Sequence, residues 1–211
     1  MKTKIQQLTK ALSDYDSKAL FAVIVLFSIL VDYLAILYPV NDEVSLIGLI
    51  FNIENSSPFL LAINGVFTVL FYAMKFLIIS ESIRVVGSFF KIEINRKFIL
   101  NLVILAECVY ILAKVLELAT GNLLIGTDLT NYQILSLNAL LGSENYHSST
   151  TFLLNQINVF PFMYAFFIGF FLMSVYKLSK PKAVKIISFS YGVLFIVYVL
   201  IRYIPISYLP Q

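Results

Sequence analysis

Charged and hydroxylated side chains interrupt runs of hydrocarbon in this 211-residue chain. Asp32 lies within SILVDYLAIL, Lys75 within FYAMKFLI, and Glu107, Tyr110, Lys114 and Glu117 within LAECVYILAKVLEL. Acids and bases in such settings do one of two things. They relay a proton or an ion, or they neutralise one another and fix the register in which helices pack. Spacing groups them. Glu107, Tyr110, Lys114 and Glu117 fall at i, i+3, i+7 and i+10, on one helical face. Asn64, Thr68, Tyr72 and Lys75 form a second line, and Ser28 stands beside Asp32 on a third. Lipid offers polar groups nothing, so the three stripes are expected to face one another.

Depth proposes the pairs. A charge at a helix centre costs about 2.5–3.5 kcal/mol, while each Leu, Ile, Val or Phe returns roughly 0.3–0.6 kcal/mol. About a dozen such residues surround Asp32, enough to insert it but not to remove its need for a partner. Asp32 and Lys114 lie at levels roughly 4–5 Å apart, within a lysine's reach, and form the first-choice ion pair. Lys75 either snorkels to the surface or approaches Glu107. Arg202 either snorkels or meets Glu117. Glu107 has no evident partner at its own depth, which makes it the first candidate for a titrating group.

Other chemistries lack their residues. The single histidine, His147, and single cysteine, Cys108, cannot build a zinc site. Neither a GxSxG elbow nor a GxxxxGK[ST] loop is present. The expectation is no enzyme, no cofactor and no metal. The absence of Trp with many Ile, Lys and Asn points to an AT-rich bacterial genome, and in a bacterium the glycosylation sequon Asn55-Ser56-Ser57 would mean nothing. The net charge of +3 is not gathered into a basic block, so no nucleic-acid partner is expected.

The elements that position these residues are legible from composition. The chain is 60% hydrophobic and 13% charged, with mean hydropathy +0.89, against about 45–50% and about 25% in soluble domains. Five stretches approach the roughly 20 apolar residues that cross a bilayer: 19–39, 58–80, 98–118, 157–177 and 184–204. Lys2, Lys4, Lys10 and Lys18 precede the first, which reads as a retained anchor. Arg84, Lys91, Arg96 and Lys97 follow the second, and Lys177, Lys180, Lys182 and Lys185 flank the fourth turn. The segments 40–57 and 119–156 and the tail 205–211 have no Lys or Arg. The positive-inside rule then predicts an all-α, five-span membrane protein with a cytoplasmic N-terminus and an outer C-terminus. Residues 1–18 read as a cytoplasmic amphipathic segment, with Ile5, Leu8 and Leu12 on one face. The long outer loop 119–156 carries two apolar pieces. Ala165/Gly169 and Ser188/Gly192 have small-xxx-small spacing, and KLSKPK is short, so spans four and five are expected to form a tight hairpin.

Two regions resemble the Yip1 family of five-span membrane proteins. INVFPFMYAFFIGF at 157–170 is similar to its fourth-span pattern, and KLSKPKAVKIISF to the polar turn that follows. IRVVGSFFKIEINRKFILNLVILAECVY is similar to its Arg-x-x-Gly segment, here Arg84 and Gly87. The family's aspartate is Asn158 here, so no role resting on that acid carries over. The resemblance implies a short bacterial form in the cytoplasmic membrane. It also implies no enzymatic activity and recognition of other integral membrane proteins; a homo-oligomer is compatible with it. The functional expectation is an accessory or scaffold subunit serving protein transport or membrane organisation. The alternative is a small transporter or ion pathway using Asp32, Glu107 and Lys114.

Overall fold

The computed structural model describes residues 7, 11–12, 14–37, 58–123 and 157–207. The loop 40–57, the stretch 124–156 with His147, and residues 208–211 lie outside the described residues, as do the side chains of Asp32, Asn64, Glu117 and Arg202. The regular elements described are all helical: α1 (Ser17–Leu37), α2 (Pro58–Phe89), α3 (Arg96–Ala106), α4 (Cys108–Leu123), α5 (Val159–Tyr176), α6 (Lys180–Ile187), a π-helical turn (Ser188–Gly192) and α7 (Val193–Ser207). Four segments are long and apolar enough to cross a membrane: Gly65–Phe89, Arg96–Leu116, Val159–Tyr176 and Lys180–Ile201. The 21-residue α1 adds another apolar helix. This is the make-up of an integral, multi-pass helical membrane protein.

The third apolar run, α3 with α4, is the centre of the bundle. α1, α2 and α5 all pack on it. Ile99, Leu102, Val103 and Ala106 have no exposed surface, and Ile104 almost none. The outward sides of α1, α2 and α7 keep large apolar side chains exposed, among them Phe27, Phe67, Phe71, Ile196 and Ile201. Such faces suit lipid.

Local signals set the helix ends. Asn95 caps α3 by accepting from the Phe98 N–H, and Asn158 caps α5 by accepting from Phe160. Asp16 accepts from the Lys18 N–H at the start of α1. α2 and α5 end alike. In each, a six-to-one bond closes the last turn, Ile92 to Gly87 and Leu178 to Met173. In each, a lysine, Lys91 or Lys177, takes the left-handed conformation (φ 58° and 51°) where glycine is usual. A cation there complements the negative end of the helix dipole.

α2 runs past the expected boundary at residue 80 to Phe89 because its inner face stays useful. Ile83 is fully buried, and Gly87 lets the returning chain close against the helix. A Cβ on Gly87 would stand 2.6 Å from Ile94 Cδ1 and 3.2 Å from Cγ1. Arg84 holds the same residue by donating from Nε to the Ile94 carbonyl at 3.4 Å. At this same end, Asn101 donates to the carbonyls of Leu12 (2.7 Å) and Tyr15 (3.2 Å), and Leu12 is buried. The last part of the N-terminal segment is thus docked on the bundle.

Gly87→Ala should destabilise the protein. Overpacking costs about 1–3 kcal/mol, more than the roughly 1 kcal/mol gained in helix propensity. Thermal unfolding in detergent should show a lower Tm, and adding Ile94→Val, which removes Cδ1, should restore most of it.

Candidate functional site

Glu107 sits where α3 and α4 meet. The helical rod tightens there: the Glu107 N–H donates to the Ile104 carbonyl at 3.1 Å, while its own carbonyl accepts from Tyr110 and Ile111. A tightened turn inside a long helix is uncommon, and it aims this carboxyl between helices rather than along the rod. The carboxyl is 2% exposed. Lys75 of α2 answers it, with Nζ donating to Oε1 at 2.6 Å and to Oε2 at 2.8 Å. The Lys75 side chain is 24% exposed, so its stem reaches in from the rim while its head is engaged inside.

Aromatic rings complete the surroundings. The ammonium lies 4.7 Å from the Tyr110 ring centroid and 5.6 Å from that of Tyr72, distances at which a ring face attracts a cation. Tyr110 stacks in tilted fashion with Tyr164 (5.3 Å), and Tyr164 with Tyr191 (4.9 Å). The Tyr110 and Tyr191 hydroxyls share a hydrogen bond of 2.5 Å. Tyr191 belongs to the π-helical turn. Ser190 there donates its hydroxyl to the Ile186 carbonyl at 2.6 Å, satisfying an acceptor in the widened turn. The site therefore ties α2, the α3–α4 turn and the π-helical turn together through polar atoms, and α5 through the stacked Tyr164 ring, in an apolar bundle.

Against the sequence-derived expectations, Lys75 approaches Glu107 rather than snorkelling, and Glu107 has its partner. The physical reason is helix length. Because α2 continues to Phe89, Lys75 lies roughly fourteen residues from that end and Glu107 roughly eleven from Arg96, levels that match within about 5 Å. Tyr110 joins the same site. Lys114 is half-buried and near enough to act electrostatically on Lys75. Its expected pairing with Asp32, and that of Arg202 with Glu117, fall on side chains outside the described residues.

Of the small-residue pairs, Gly169 is buried and packs toward Ile187, where an added Cβ would make only an ordinary van der Waals contact with Cγ1 at 3.7 Å. Ala165 packs half-buried against the core. Ser188 and Gly192 do not form an equivalent seam. Ser188 is exposed, and in the π-helical turn residues four apart no longer stack over one another.

Sequence reasoning passed over Tyr164, Tyr191 and Asn101. The two tyrosines lie in runs rich in Phe, where a hydroxyl is the only distinguishing mark. Asn101 is off the Glu107 face, and its position in FILNLVIL was the available signal. Among the described residues, no group of three or more His, Cys, Asp or Glu could hold a metal ion. Comparisons with protein-family models, curated proteins and solved structures return no match.

Breaking a buried ion pair from one side costs about 3–5 kcal/mol. Lys75→Met, which strands Glu107, should sit at the upper end of that range. Glu107→Gln should cost less, since the amide oxygen can still accept from the lysine, and the double variant should recover part of the loss. Unfolding in mixed micelles, followed by circular dichroism, measures all three. Tyr110→Phe and Tyr191→Phe should each cost about 1 kcal/mol in the same assay. Their combination should cost no more than the larger single effect, because both remove one shared bond.

Proposed function

We propose that this chain is a non-enzymatic integral membrane protein acting as an accessory or scaffold subunit of a larger membrane assembly. The bidentate Lys75–Glu107 pair carries the reading: both carboxylate oxygens are taken by one ammonium, so the charges act as a packing lock. The exposed apolar sides of α2, including Phe67, Phe71 and Met74, are surfaces that either lipid or a partner helix within the bilayer can cover. In this reading the chain crosses the cytoplasmic membrane of a bacterium five times, with its N-terminus inside and C-terminus outside. Supporting that orientation, the described basic segments gather at one end of the bundle, joined by the Asn95–Tyr176 and Asn101–Leu12 hydrogen bonds. The resemblance to the Yip1 family adds an expectation of protein partners in transport or membrane organisation, and a pairing of Asp32 with Lys114 belongs to the same proposal.

A specific observation favours a second reading, a small transporter or ion pathway. The tightened turn at Glu107 and the π-helical turn at Ser188–Gly192 are two irregularities joined by the Tyr110–Tyr191 bond, and such turns recur at functional sites. One pair of experiments separates the readings. Tagged protein at native level, taken from membranes in mild detergent, should co-purify with stoichiometric membrane proteins. Proteoliposomes of wild type and Glu107→Gln should show equal, background proton and cation flux. Isolation of the chain alone, together with flux that Glu107→Gln abolishes, would overturn the scaffold reading in favour of the pathway.

A further inference from the structure

α2 does not stop where its uncharged run stops. From Glu81 to Phe89 it continues for about 12 Å at 1.5 Å per residue, more than the roughly 5–8 Å of headgroup layer outside the hydrocarbon core. Glu81, Arg84, Val85 and Ser88 share one face of this segment. The returning chain, Lys91–Ile94, closes over that face, and together they enclose a cleft of 690 Å³. It lies beside α3's first residues, at the depth where the apolar run of the bundle gives way to charge.

The charges in the cleft are of two kinds. Arg84 is fixed by donating to Glu81 at 2.5 Å and to the Ile94 carbonyl, which engages two of its five N–H donors. Glu81 also accepts from Arg96 at 2.7 Å. Lys91 and Glu93, in contrast, form no side-chain ion pair or hydrogen bond among the described residues. They leave one cation and one carboxylate at the rim, two residues apart. Two acids and two bases make the lining neutral overall. Toward the membrane the Glu81 face continues with Leu77 and Met74, 45% and 62% exposed, an apolar surface leading from the cleft into the hydrocarbon.

We propose that this cleft binds the headgroup of a zwitterionic phospholipid bearing a primary ammonium, a phosphatidylethanolamine. Lys91 and the free guanidinium donors of Arg84 take the phosphate, Glu93 takes the ammonium, and the acyl chains run back along Leu77 and Met74 into the hydrocarbon. A choline headgroup has no N–H to give Glu93. Phosphatidylglycerol carries the same phosphate charge with no ammonium to balance it, which leaves Glu93 facing an uncompensated anion. The assignment is independent of whether the protein is a scaffold or a pathway.

Native mass spectrometry of the full-length protein in detergent tests it, with phosphatidylethanolamine, phosphatidylcholine and phosphatidylglycerol of matched acyl chains. Wild type should retain phosphatidylethanolamine about tenfold better than phosphatidylcholine, the size of one charge-assisted hydrogen bond. Glu93→Ala, which removes the acceptor, should reduce that preference to parity. Lys91→Gly, which keeps the left-handed backbone without strain, should weaken retention of all three lipids. Both positions are exposed, and an unchanged Tm would verify the fold. The wild-type selectivity stands as a test even without the variants. Equal retention of the three lipids, or preference for phosphatidylglycerol, would overturn the proposal. Displacement by O-phosphoethanolamine at matched concentration would also overturn it, because the ligand would then be a soluble phosphoester and not the lipid.

Discussion

The Glu107 carboxylate is the group around which the bundle is arranged. Carrying a charge into the apolar interior costs several kcal/mol even after relaxation, and a partner must stand at hydrogen-bonding distance to offset it. Lys75 satisfies that requirement only if α2 and the third apolar run keep one axial register. The polar pair therefore specifies what hydrocarbon contacts alone leave loose. Leucine and phenylalanine faces slide past each other at little cost, whereas a bidentate ion pair tolerates no shift of a helical turn.

The irregular turns follow from the same demand. At Glu107 the helix tightens, and at Ser188–Gly192 it widens. Each change disturbs the backbone ladder, and each disturbed region has polar compensation nearby. The Glu107 carbonyl accepts twice, and the Ser190 hydroxyl fills in at Ile186. Water cannot supply such groups in lipid, so the side chains must. The tyrosine cluster between the two turns gives the ammonium ring faces on one side and links helices distant in sequence on the other.

The basic end is built differently, from caps and closures. Asn95 and Asn158 start helices, left-handed Lys91 and Lys177 end them, and Arg84 with Gly87 fastens the hairpin through Ile94. The Arg-x-x-Gly spacing thus has a mechanical sense in this chain. One residue supplies donors to a carbonyl, and the other supplies the room that the same residue's side chain occupies.

The sequence by itself determined the solvent and the class. Runs of apolar residues long enough to cross a bilayer demand helices, because an isolated helix alone satisfies its backbone within hydrocarbon. Spacing also put Glu107, Tyr110 and Lys114 on one face, since 3.6-residue periodicity is a local property. Only the tertiary structure decided the partners. Lys75 meets Glu107 because α2 persists to Phe89, and that persistence depends on Ile83, Gly87 and Ile94 packing across the hairpin. Tyr191 reaches Tyr110 because a π-helical turn rotates it inward, and Asn101 matters because residues 12 and 15 fold back onto it. Contacts between residues thirty to ninety positions apart leave no periodic trace in the chain, so no local pattern could have announced them.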